Sequence, residues 1–196
     1  MDPLKFVKDN TYGINRLNIS PDQKVDKLLV RFSGICAAVA VQPIPFADIF
    51  ILTPIQLYMG TLIAEARGYK FTMSQIYKEI LGLIGLAYLA QQTAIGLYKT
   101  VLPFLGAITT IPLVFVLTYA IGKVMNYYFV AKTEGKKLTK EDLVKAFKQA
   151  RKDAKKNFSK EEIKKKTNEA RQEMKNYKPQ SKEFVQKNID ELAVIS

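Results

Sequence analysis

Residues Lys78 to Lys123 read KEILGLIGLAYLAQQTAIGLYKTVLPFLGAITTIPLVFVLTYAIGK, and this stretch decides the fold. Nineteen uncharged residues, Ile80 to Tyr98, separate Glu79 from Lys99, and 23 more, Thr100 to Gly122, separate Lys99 from Lys123. Each run is at or near the ~20 residues that a helix needs to cross a bilayer. On a helical projection the apolar side chains fall on all sides, as at Leu81, Leu83, Ile84, Leu86, Ala87, Leu89 and Ala90. A helix that is apolar all round is buried, in protein or in lipid. The pattern predicts a helical hairpin and leaves open what surrounds it.

Charge placement favours lipid. Lys70, Lys78, Lys123, Lys132, Lys136 and Lys137 lie to one side of the pair, against Lys99 alone at its turn, in keeping with the positive-inside rule. Tyr69, Tyr77, Tyr119, Tyr127 and Tyr128 flank the runs where interfacial aromatics belong. Gln91, Gln92 and Thr93 argue for the alternative, the central hairpin of a soluble bundle, because mid-membrane amides need partners on a neighbouring helix. Those three residues are also where a pore or transport path would be lined.

Working outward, Ser20-Pro21-Asp22-Gln23 is a helix start, with Ser20 as cap, Pro21 at the first position and Gln23 closing a capping box. Val25, Leu28, Leu29 and Phe32 follow at helical spacing. Sixteen uncharged residues lie between Arg31 and Asp48, and 16 more between Asp48 and Glu65. Pro43 and Pro45 forbid one continuous helix there, because each removes an amide donor and restricts the residue before it. The economical reading is two apolar helices meeting at a corner. Asp48 then sits in the first turn of the second, facing the positive end of its dipole, as a cap or ion-pair partner more naturally than as a metal ligand or proton carrier. That helix should stop near Gly68, and another should start at the capping box Thr72-Met73-Ser74-Gln75. Gly34, Ala37, Ala38, Gly60, Gly82, Gly85 and Gly96 permit close crossing of these helices.

The flanks differ from the centre. Residues 34–130 carry eight charges, whereas residues 131–196 carry 30, of which 19 are basic. Thr139 with Asp142 and Ser159 with Glu162 mark two tail helices. Leu143, Phe147, Ala150, Ala154 and Phe158 form an apolar stripe on the first, and Phe184, Val185, Ile189 and Leu192 form another near the C-terminus. Such a tail can be a solvated arm, lie on anionic phospholipid, or dock a partner through its stripes. Nucleic acid fits poorly, since acids interleave with the bases and no Arg-rich run or stacking platform is present. The expected contacts are Lys132, Lys136, Lys137, Phe147, Arg151, Lys152 and Phe184.

Enzymatic chemistry finds little footing in these 196 residues of net charge +12. There is no His, which removes the commonest general base and metal ligand, and Cys36 is the only Cys, too few for a zinc site or disulfide. Neither a phosphate-cradling glycine loop nor a G-x-S-x-G elbow, H-E-x-x-H or C-x-x-C occurs. Cys36 lies among apolar neighbours that disfavour a thiolate. No catalytic residue and no cofactor is expected. Residues 1–20 contain no apolar run of signal-peptide type.

At Pro43-Ile44-Pro45-Phe46-Ala47-Asp48 the chain resembles the YcjF-type domain of unknown function, bacterial and often attached to, or encoded beside, small GTPase domains. The likeness covers about residues 28–130. It takes in Thr53-Pro54-Ile55-Gln56-Leu57-Tyr58-Met59, Ile63-Ala64, Gly68-Tyr69, the Gly82/Gly85 helix and Thr118-Tyr119-Ala120-Ile121-Gly122-Lys123. The resemblance implies a helical membrane-associated module working with a GTPase or a larger membrane assembly, and it implies no catalytic residues. The chain departs from the common arrangement in lacking the GTPase domain, so such a partner acts in trans.

The expectation is an all-α protein with an N-terminal arm (1–20), a membrane-embedded domain of four apolar helices (21–130) and a basic amphipathic tail (131–196). The 78–123 pair spans a bacterial inner or equivalent membrane, the 28–67 pair packs on it as a broken or re-entrant hairpin, and both termini are cytoplasmic. The function expected is that of a non-enzymatic accessory or anchoring subunit, on an anionic phospholipid bilayer, self-associating or bound to other subunits. The alternative is a soluble helical module that docks a GTPase or ribonucleoprotein through its tail.

Overall fold

The computed structural model describes residues 2–40, 47–81 and 103–178. Among these residues every regular element is helical. Helix α1 (Pro3–Thr11) is capped by the Asp2 carboxylate, which accepts from the Leu4 and Lys5 amides. A 3-10 turn (Tyr12–Arg16) leads to α2 (Pro21–Val39), which opens on the expected reciprocal box between Ser20 and Gln23. Helix α3 (Ala47–Ala66) ends where Gly68 takes a φ of 83°, a left-handed conformation that only glycine adopts at little cost, while the Tyr69 amide donates to the Ala64 carbonyl. The Thr72/Gln75 box starts α4 (Met73–Ile76), which continues as a π-helical turn over Tyr77–Leu81. Then come α5 (Pro103–Thr133), α6 (Lys140–Asn157) and α7 (Lys160–Asn176), the last two opening on the Thr139/Asp142 and Ser159/Glu162 boxes.

Cross-contacts give the direction of each helix. Asp22 at the start of α2 pairs with Arg67 past the end of α3, and Phe32 meets Tyr58, so α2 and α3 are antiparallel. Asp26 pairs with Lys123, whereas Cys36 is hydrogen-bonded to Thr118, so α5 also runs against α2. Phe71 packs on Phe129, and Gly60 faces both Ile76 and Met125, so α4 climbs against α5. Helix α2 therefore goes up while α3 and α5 come down, and the C-terminus of α2, the N-terminus of α3 and the N-terminal half of α5 share one end.

The tail is not a separate arm. Helix α6 runs back along α5 until the Phe158 ring meets Phe115 and Tyr119, at 5.2 and 5.1 Å between centroids. Helix α7 then descends along α2, with the Lys166 carbonyl over Gly34 and Glu173 in a two-bonded pair with Arg31. Leu143, Phe147, Ala150, Ala154, Ile163 and Ala170 all enter the common core. The N-terminal arm also packs: Phe6 and Val7 are buried, and Phe6 meets Tyr177 edge-on at 5.2 Å.

One described helix segment, Ile111–Thr133, is long and apolar enough to cross a membrane, and 67% of its most apolar window is already buried inside the protein. The predicted second span, 100–122, is thus continued as helix by ten residues beyond Lys123, through the assigned start of the tail at 131. Residues 82–102, with the first run, Gln91, Gln92, Thr93 and Lys99, lie outside the described residues, as do Pro43 and Pro45. Four membrane-embedded apolar helices is accordingly the finer part of the expectation, and the all-α architecture is the part realised.

Candidate functional site

The site candidates divide along the bundle axis. At the lower end, Lys132 closes α5, with its ammonium 3.6 Å from Glu79 and 5.3 and 5.7 Å from the centres of the Phe71 and Tyr128 rings. The Tyr128 hydroxyl donates to the same Glu79 carboxylate at 2.5 Å. Lys136 pairs with Glu134 at 2.7 Å, and that hydrogen bond and charge hold its ammonium protonated above the ordinary range. Lys137 is exposed. Asp48 is the second residue of α3, at the opposite, upper end.

Phe147, expected to contact a partner or lipid, is 2% exposed and turned into the core. The stripe it belongs to is used up against α5, because an amphipathic face is satisfied by whichever apolar surface reaches it first. Arg151 lies 5.9 Å from the Phe147 ring and is half-buried, while Lys152 is exposed. Lys137 precedes α6, and the 12 residues of helix from Lys140 to Lys152 rise roughly 18 Å at 1.5 Å per residue, so the predicted basic contacts do not form one patch. Phe184 lies outside the described residues.

What the structure does bring together is the α6–α7 turn and the charge-poor end of the bundle. Residues 32–47, 49–64, 80–98 and 100–122 carry no charge. The upper half gathers the end of α2, the start of α3 and the first half of α5, with Asp48 the one charge among their described residues there, and Phe158 pins the turn to their flank. Around it, residues 151–166 hold Arg151, Lys152, Lys155, Lys156, Lys160, Lys164, Lys165 and Lys166 against Asp153, Glu161 and Glu162. Lys152, Lys155, Lys156, Lys160, Lys164 and Lys165 are exposed and make no ion pair among the described residues. Five of these, all but Lys152, were missed from the sequence; the charge density of 151–166 was the available signal, and the turn's height on the bundle was not.

In the lower half Arg31, Arg67, Lys123, Lys132 and Lys136 each have a carboxylate partner, while Lys5, Lys137, Lys140 and Lys145 are exposed with no ion pair among the described residues, more widely spaced than the lysines of the turn. A groove of about 710 Å³ between α1, α2 and α7 has a wall of mixed sign, with Asp26, Lys27, Arg31, Lys166, Glu169 and Glu173. Within the wall Arg31 pairs with Glu173, and Asp26 pairs with Lys123 outside it. Tyr177 closes the same flank by donating to Asp9; burial and that carboxylate push its hydroxyl up to about 12.

Metal and nucleophile chemistry finds no built site here. Among the described residues no three His, Cys, Asp or Glu side chains converge. Burial pushes the Cys36 thiol up to about 12 against the smaller opposing pull of Thr118, so at neutral pH it is a small packed hydrophobe. Comparison with protein-family models, curated proteins and solved structures returns no match, and the YcjF-type resemblance draws no support from that quarter.

Proposed function

We propose that this chain is a non-enzymatic, membrane-associated accessory protein whose charge-poor upper end, with Asp48 the one charge among the described residues of α2, α3 and α5 there, enters the bilayer and whose lower bundle stays in water. The observation that carries the reading is the sorting of charge along the axis: ion pairs gather at one end and uncharged helix at the other. Burying a charge in hydrocarbon is costly, so a bundle sorted this way has one end suited to lipid. The Lys123–Asp26 pair and the Phe158 contacts support keeping the lower part of α5 out of the membrane. The Phe6–Tyr177 contact holds the first helix and the end of α7 at the lower end, which supports placing both termini on one, cytoplasmic, face. On the family resemblance, the working partner is a separate GTPase or another subunit of a membrane assembly.

Carbonate washing of native membranes tests this. The protein should stay in the pellet and need detergent for release, and subunits pulled down from that extract would name the assembly. A second reading, a soluble interaction module with α5 as its core helix, is favoured by the burial of Ile111–Thr133. Recovery in the supernatant without detergent overturns the membrane reading and leaves that one.

A further inference from the structure

We propose that the α6–α7 turn is a binding surface for anionic phospholipid headgroups, with Lys155, Lys156 and Lys160 as its centre. The inference rests on the reading that the charge-poor end enters the bilayer, and it adds which lipid that end selects. Height on the bundle is the first argument. Phe158 holds the turn level with Phe115, and α5 continues upward from there to Pro103. Those 12 residues of helix are ~18 Å long. The hydrocarbon of one leaflet is ~15 Å thick, half of the full core. With the upper end of α5 sunk to that depth, the turn comes to rest at the headgroups.

Charge matching is the second argument. At the turn two of the three nearby acids are engaged in local structure, which leaves Glu161 against six exposed lysines. Glu162 accepts from the Ser159 amide at 2.8 Å in the capping box, and Asp153 accepts from the Gln149 amide group at 2.8 Å. Lys155, Lys156 and Lys160 are left exposed, with flexible stems that carry the ammonium toward a phosphate while the methylenes lie on apolar surface. An anionic leaflet attracts such lysines by about fivefold in affinity each, and salt weakens the attraction within a Debye length. Stacking of nucleic-acid bases is unsupported, because the one aromatic of the turn, Phe158, is engaged with Phe115 and Tyr119.

The test is sedimentation of the purified full chain with vesicles of phosphatidylcholine alone, or of equal parts phosphatidylcholine and phosphatidylglycerol. Wild type should prefer the anionic vesicles, and added salt should lower that preference. The triple variant Lys155→Gln, Lys156→Gln, Lys160→Gln should lose the preference by about a hundredfold while still binding neutral vesicles. Removing as many charges at the lower end, with Lys5→Gln, Lys140→Gln, Lys145→Gln, should leave it unchanged. Equal binding of wild type to both vesicles, or an unaffected upper triple, overturns the headgroup site without touching bilayer entry. Absence of binding to either vesicle overturns bilayer entry and the headgroup site together. If wild type instead binds a single-stranded RNA and the upper triple abolishes it, with vesicle preference unmoved, the surface belongs to nucleic acid.

Discussion

Gly122 gives the sharpest test of how α5 is packed. A Cβ built on it would overlap Leu29 Cδ2 on α2 and lie 3.1 Å from Cε and 3.2 Å from Sδ of Met59 on α3. Leu29 and Met59 are both fully buried, so any shift of their side-chain ends displaces other core atoms. Gly122→Val should therefore force α5 away from α2 and α3. Overpacking of this kind costs roughly 1–3 kcal/mol, and two added methyls at a three-helix contact place it near the upper end. Valine's better helix propensity returns only a few tenths. The net loss should be about 2–3 kcal/mol, a fall of roughly 5–10 °C in Tm for a chain of this size. Leu29→Ala alone should cost about 2–5 kcal/mol, but the double variant should lose less than the sum, because the valine fills the space the leucine vacates. Urea unfolding followed by circular dichroism measures all three, in whatever medium keeps the wild type dispersed. A neutral or stabilising Gly122→Val, or a strictly additive cycle, would refute the packing and return residues 111–122 to a lipid-facing helix.

Three further outcomes follow from the same contacts. Phe158→Ala removes the ring that pins the turn to Phe115 and Tyr119, so limited trypsin should cut faster after Lys155 and Lys156 while helix content stays within error; an unchanged cleavage pattern counts against the pin. Cys36, pushed up to about 12 by burial, should resist a disulfide reagent at about pH 8 in the folded protein and react once denaturant is added; prompt reaction without denaturant would mean that α2 is not buried there. Asp142 is held below its ordinary 3.8 by hydrogen bonds from the Thr139 amide and hydroxyl. Because its folded pKa is depressed, its contribution is present above the unfolded value and lost as pH falls through the folded one. Asp142→Asn should therefore flatten the acid limb of the stability curve below about pH 4, and an unaltered limb would discount the box as the source.

Much of the local structure was legible in short stretches of chain. The starts of α2, α4, α6 and α7 depend on two side chains three residues apart satisfying amides that the helix cannot, and such a device needs nothing from the rest of the protein. Gly68 ending α3 is local in the same sense. The uncharged runs likewise show in composition alone that some surface other than water must cover residues 80–98 and 100–122.

What covers them was a matter for tertiary structure. The stripe Leu143, Phe147, Ala150, Ala154 looks the same whether it meets a partner, a membrane or its own core, and here it meets its own core. Arg31 and Glu173 are 142 residues apart, and nothing near either one announces the other; they pair because α7 descends along α2. The height of the α6–α7 turn beside the charge-poor end has the same origin, since it depends on how far α6 climbs before Phe158 meets Phe115. Sequence by itself determined which residues form helices and which faces must leave water, because capping and hydrophobicity act over a few residues. The partner of each face, and with it the candidate site, was decided only when chain direction and close packing selected one among several apolar surfaces of equal chemistry.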